Sequence, residues 1–256
     1  MALTKRQRRA LRKNGILDER ETVPQRGMKL KRIVAKTDNQ QKTFDSYDDG
    51  QHLLLHGSPG TGKTFLSLYL SLFDIFEYKD SEYEKVIIIR SATPSKEIGF
   101  LPGKEGEKLA AFEAPYKGIC AELFGRGDAY DILKMKNLIE FQSTSFLRGT
   151  TLDNCIVILD ECQNLMYMEL KTVLTRIGAG TRLIMCGDLY QDDLTSERFN
   201  QKSGLFEAMR IFDNIDSMTK IEFGIDDIVR SGFVREFIIA EHDICNRNKI
   251  ETIRAV

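Results

Sequence analysis

No stretch of this 256-residue chain approaches the roughly 18 uncharged apolar residues that a membrane helix needs. The N-terminus lacks the apolar centre of a secretory signal. Internal repeats and low-complexity tracts are absent. The five cysteines, Cys120, Cys155, Cys162, Cys186 and Cys245, lie apart with no short paired spacing. That scatter argues against a disulfide framework or a zinc site and for buried thiols in a reducing, cytoplasmic setting. No association with a membrane is expected.

The apolar share of 42% and charged share of 29% suit a globular protein. The length fits one large domain or two small ones, with room for a substantial core. The net charge of −1 hides an asymmetry. Residues 1–36 hold twelve Lys/Arg and three Asp/Glu, a net of +9; the remaining 25 basic and 35 acidic residues give −10. The split marks residues 1–36 as a basic arm, helical or flexible, and 37–256 as the folded domain. Its run Lys5-Arg6-Gln7-Arg8-Arg9-Ala10-Leu11-Arg12-Lys13 suits phosphate-backbone contact, and equally a solvated terminus.

Gly57-Ser58-Pro59-Gly60-Thr61-Gly62-Lys63-Thr64 has the spacing of a phosphate-binding P-loop. Phosphate oxygens need several backbone N–H groups converging on one point, in angles that glycine tolerates best. A helix starting at the loop adds its positive end to the anion site. Lys63 supplies a charge for the β- and γ-phosphates, and Thr64 a hydroxyl for Mg²⁺. The flanks agree: His52–His56 reads as a buried strand and Phe65–Phe73 as a packed helix. The pattern therefore predicts a nucleoside triphosphate site spanning Gly57 to Phe65.

Val86–Ile89, Leu138–Phe141, Cys155–Leu159, Arg182–Cys186 and Met218–Phe223 read as further strands, with helical stretches between them. Continuous apolar strands alternating with helices predict an α/β fold with a mostly parallel sheet covered on both faces. Cys155–Leu159 delivers Asp160 and Glu161 at its carboxyl end, where such sheets gather ligands. Asp160 is placed to hold Mg²⁺ through water and Glu161 to polarise the attacking water. Asp188 and Gln191 follow the next strand and arrive at the same edge. Upstream, a glutamine within Thr37-Asp38-Asn39-Gln40-Gln41 has the donor and acceptor needed for the edge of adenine, although exposed glutamines are common.

These residues resemble the PhoH-like proteins, P-loop ATPases related to the core of superfamily-one helicases. The resemblance is carried by the P-loop, Gly99-Phe100-Leu101-Pro102-Gly103, Phe146-Leu147-Arg148-Gly149, Ile158-Leu159-Asp160-Glu161-Cys162-Gln163-Asn164, Leu174–Gly178, Gly187-Asp188 with Gln191, Ser203-Gly204-Leu205 and Asp227-Ile228-Val229-Arg230. It covers about residues 36–242. It implies a RecA-like core, ATP with Mg²⁺, Gln40 as the adenine-reading glutamine (Gln41 in the alternative register), and Gln191 and Arg230 at the γ-phosphate. A short chain with a basic arm looks like the bacteriophage version, working in the host cytoplasm. Two departures stand out: Cys162 replaces a frequent alanine, and Ser231-Gly232 follows Arg230 where His-Pro is common.

The resemblance implies a Mg²⁺-dependent ATPase acting on single-stranded nucleic acid, RNA favoured over DNA, with helicase activity within its scope. A single core must borrow its second wall, which predicts a homo-oligomer such as a hexameric ring. Arg148 and Arg176 are candidates to act in trans, or to pair with surface acids. The alternatives are a nucleotide-dependent switch or scaffold for a protein partner, and a small-molecule kinase, for which no arginine-rich lid is evident.

Overall fold

A computed structural model describes residues 28–77, 81–91, 105–144, 147, 149–188 and 203–254; the side chains of 105–109 and 245–254 are not described. Gln191, Arg148 and the Gly99–Gly103 motif lie outside these residues.

The order of elements is helix α1 (Asp38–Asp48), strand β1 (His52–Gly57), α2 (Lys63–Glu77), β2 (Lys85–Arg90), α3 (Glu105–Phe124), α4 (Ala129–Met135), β3 (Ile139–Ser143), β4 (Cys155–Leu159), α5 (Tyr167–Leu174), β5 (Arg182–Gly187), α6 (Leu205–Phe212), β6 (Met218–Phe223) and α7 (Phe233–Arg254). One six-stranded sheet runs β3-β2-β4-β5-β1-β6, and every described pairing in it is parallel. This is the RecA-like P-loop α/β architecture.

The burial pattern explains the apolar strands. Leu53, Leu55, Val86, Ile88, Ile156, Ile158 and Ile184 face one side, under α2, α3 and α4. Their alternates Leu54, Ile87, Ile89, Val157, Leu159, Leu183 and Met185 face the other, under α5 and α6. Successive side chains point to opposite faces, so a strand covered on both sides has no position left for polar residues.

After β1 the chain crosses through α2 and lands on β2, beyond the places that β5 and β4 later fill. The sheet therefore has a switch point at the carboxyl ends of β1, β5 and β4, where ligands bind in open α/β sheets. β5 lies between the strand that precedes the P-loop and the strand that ends in Asp160.

Two helices carry no sequence expectation. α1 is polar; Thr37 caps it by accepting from the Gln40 N–H, and its few apolar residues leave no readable period. α4 is only seven residues long, too short for periodicity. Residues 28–36, on the arm side of the charge split, run along the core: Met28 and Leu30 are buried, and the Lys31 N–H donates to the Leu123 carbonyl at 2.8 Å. The four described cysteines, Cys120, Cys155, Cys162 and Cys186, are buried free thiols, and burial pushes the Cys120 thiol up to about 12. No helix among the described residues is long and apolar enough to cross a membrane.

Candidate nucleotide site

The P-loop connects β1 to α2, and its shape follows from three glycines with positive φ, Gly57 (111°), Gly60 (72°) and Gly62 (87°). At Gly57 the requirement is double, because a Cβ there would overlap the Phe223 carbonyl oxygen of β6. That carbonyl accepts from the Ser58 N–H at 2.8 Å, so the loop starts pinned to its neighbouring strand. Thr61 is fully buried and donates its hydroxyl to the Ser58 carbonyl at 3.0 Å. The start of α2 at Lys63 aims the helix's free N–H groups at the loop.

Lys63 folds over this loop, its Nζ donating to the carbonyls of Gly57 (2.9 Å) and Ser58 (2.7 Å). Burial lowers its pKa, opposed by the nearby acids Asp188, Glu161 and Asp160. Thr64 Oγ1 donates to Asp160 Oδ1 at 2.9 Å, joining the P-loop helix to the tip of β4 across 96 positions of sequence. Asp160 Oδ2 accepts from the Tyr116 hydroxyl at 2.8 Å. Asp160 is buried, and burial, followed by the charge of Glu161, raises its pKa above the usual carboxylate range. Tyr116 is raised well above its ordinary value, chiefly by burial, so its hydroxyl stays a donor.

Glu161 sits in the left-handed region (φ 51°, ψ 40°), uncommon for a residue with a side chain. The chain turns there from β4 directly into the short 3₁₀ helix Cys162–Asn164. Gln163, almost fully buried, donates from Nε2 to Glu161 Oε2 at 2.7 Å and accepts from the Asp188 N–H at 3.0 Å. One amide thus ties the tips of β4 and β5 together.

A cavity of about 550 Å³ links these parts. Lys63, Thr64, Asp160, Glu161 and Asp188 line its polar end, and Ile33, Val34, Phe65 and Ile119 give it an apolar portion. Pro59, Gly60, Gly62, Gln40 and Arg230 also line it. The size and the mixture of apolar walls with a few polar groups are those of a small-molecule site. Gly57, Ser58 and Thr61 build the loop from beneath.

The structure separates the two glutamine registers. Gln40 is buried at the P-loop, its Nε2 donating to the Thr61 carbonyl at 3.2 Å and its Oε1 accepting from the Lys36 N–H at 2.9 Å. Gln41 is exposed and donates to Asp45. Arg230 lies in cis over the loop: its Cγ would stand 3.1 Å from a Cβ on Gly60, and the Val229 N–H donates to the Gly60 carbonyl at 3.1 Å. Arg176 falls between α5 and β5, at the amino end of the sheet opposite the cavity, where its carbonyl accepts from the Leu152 N–H.

Sequence reasoning did not single out Tyr116, whose only signal is a tyrosine beside a helix-interior proline, Pro115. Nor did it foresee the apolar walls Ile33, Val34 and Ile119. Asn39 was equally silent; its Nδ2 donates to Asp227 Oδ2 at 2.7 Å and so braces the turn that leads to Arg230.

The donors suit a divalent cation of the magnesium type. Mg²⁺ takes one or two protein oxygens and completes its shell with water and phosphate. The paired Thr64 hydroxyl and Asp160 carboxylate supply such oxygens, and no group of three or more His, Cys, Asp or Glu side chains that could cage a metal occurs among the described residues.

Residues 32–241 match the family model described as PhoH-like protein. The chain belongs to the PhoH-like family. This PhoH-like chain is 33% identical over 213 residues to the PhoH-like protein of Bacillus subtilis, covering 83% of itself and 65% of that protein. It is 29% identical over 225 residues to Protein PhoH of Escherichia coli, covering 87% and 60%. It therefore spans under two thirds of the length of these relatives. Among solved structures it is similar to the large terminase of a thermophilic bacteriophage in complex with ADP (TM-score 0.47, 13% identity, 77% of this chain, 48% of that one). A second similar structure is the Pif1 helicase of Candida albicans (TM-score 0.31, 16% identity, 75% and 40%).

Proposed function

We propose that this PhoH-like chain is a Mg²⁺-dependent ATPase that works on single-stranded nucleic acid, RNA in preference to DNA, and as a homo-oligomer. The observation that carries the hydrolytic part is the 2.9 Å contact between Thr64 and Asp160 inside the cavity. It brings an anion cradle and an acidic strand tip to one point.

In this reading the backbone from Gly57 to Gly62 cradles the phosphates, and Lys63 exchanges its loop carbonyls for phosphate oxygens when nucleotide enters. Thr64 and Asp160 hold Mg²⁺, which when bound offsets charge on the phosphates. Glu161 takes a proton from a water whose oxygen bonds to the γ-phosphorus while the bond from that phosphorus to the β–γ bridging oxygen breaks, releasing ADP and inorganic phosphate. Gln163 keeps the Glu161 carboxylate turned toward that water. Arg230, beside Gly60, and Gln191 meet the γ-phosphate, and Gln40 sits where the base and the loop adjoin. The nucleic-acid part draws on the helicase-like motifs and on the +9 charge of residues 1–36.

The test is ATP turnover with and without single-stranded RNA or DNA across a range of salt. Stimulation that fades as salt rises supports backbone binding. Lys63→Ala is expected to lose nucleotide binding. Glu161→Gln is expected to bind ATP normally and to lose turnover by at least about 10²-fold; unchanged turnover removes Glu161 from the mechanism.

A further inference from the structure

We infer that Tyr116 is a positioning residue for metal binding: its hydroxyl holds the Asp160 carboxylate in the orientation that presents Oδ1 beside Thr64. The inference rests on the hydrolytic reading above and adds to it a residue from a different helix, α3.

A carboxylate at the end of a strand is a broad, nearly two-fold rotor. Here each oxygen has its own donor. Thr64 occupies Oδ1 at 2.9 Å, and Tyr116 occupies Oδ2 at 2.8 Å. A cation drawn to the Thr64 hydroxyl therefore meets one defined oxygen. Without the Tyr116 hydroxyl, Oδ2 would be left buried with no donor, and the group would gain by rotating away.

Tyr116 is itself packed on all sides. It is 1% exposed, and its ring packs on Phe141 of the edge strand β3 with centroids 5.8 Å apart. Four residues earlier on α3, the Phe112 ring lies 5.7 Å from the Arg90 guanidinium at the end of β2. Arg90 also contributes positive charge near Asp160. The orientation of the acid at the tip of β4 is thus set by a helix resting on β2 and β3, two strands that contribute no residue to the described cavity lining. Phenylalanine would fill the same apolar space, so the hydroxyl is the part that packing does not require. Partners that orient a metal-holding carboxylate typically govern metal affinity by about 10–100-fold.

The experiment titrates Mg²⁺ into the protein with a fluorescent ATP analogue and compares wild type with Tyr116→Phe, with a parallel titration of the analogue in EDTA. The expected result is an unchanged affinity in EDTA, within about twofold, and a Mg²⁺ half-saturation raised about 10–100-fold. An unchanged Mg²⁺ half-saturation overturns the inference. Loss of analogue binding in EDTA also overturns it, since that marks Tyr116 as a general support of the fold. A wild-type protein whose nucleotide binding ignores Mg²⁺ defeats the hydrolytic reading itself.

Discussion

Asp160 shows how one residue can be costly to the fold while serving the proposed chemistry. It is buried next to Glu161, and two hydroxyl donors only partly replace the water it has lost. Its raised pKa means that the folded chain holds this proton more tightly than the unfolded chain does. Ionising it therefore costs stability: the penalty is absent below the ordinary aspartate range and complete above the folded pKa. Asp160→Asn removes it. In metal-free buffer the melting temperature of Asp160→Asn is expected to approach that of wild type below about pH 3 and to exceed it at neutral pH. A gap that stays constant with pH, measured by thermal unfolding, contradicts this account. Glu161 carries a different cost. Its left-handed backbone disfavours any side chain by about 1–2 kcal/mol, a strain of the kind that persists at functional positions.

At the scale of elements, the P-loop is held from three sides. The end of β6 receives the Ser58 N–H, Val229 donates to Gly60, and Gln40 of α1 donates to Thr61. The brace continues through Asn39 of α1, which meets Asp227 and so steadies the approach to Arg230. Gly57 is where this clamp is tightest. Gly57→Ala combines a φ of 111° with overlap of the Phe223 carbonyl. A loss of about 3 kcal/mol is expected, or about 6–12 °C in melting temperature, together with loss of nucleotide binding. A variant that melts like wild type would show that the loop can detach from β6. The strand–loop–helix unit and the acidic strand were legible because each is continuous in sequence and has an unambiguous apolar period. α1 was not legible as a helix, since it is held by a cap and by contacts with distant residues instead of by an apolar stripe.

At the scale of the whole molecule, the cavity is assembled from residues 33, 34, 36, 40, 59, 60, 62–66, 119, 122, 160, 161, 186–188, 229 and 230. Its described walls come from one RecA-like core, and in the proposed oligomer a neighbouring copy completes the surroundings of the triphosphate. Sizing the protein by light scattering with and without ATP is expected to show a larger species with nucleotide. A monomer with full turnover under both conditions would remove the neighbour from the reaction.

Residue chemistry at fixed local spacing was determined by the sequence alone: the glycines and lysine of the P-loop, the acids closing an apolar strand, and the parallel α/β class. Those features are set by backbone angles and side-chain period, which neighbours in the chain control. Tertiary structure alone decided that β5 separates β1 from β4, that Gln40 and not Gln41 faces the loop, and that Tyr116 reaches Asp160 from α3. Each of these depends on which strands pair and on which helix covers them, and that choice is made by packing between residues far apart in the chain.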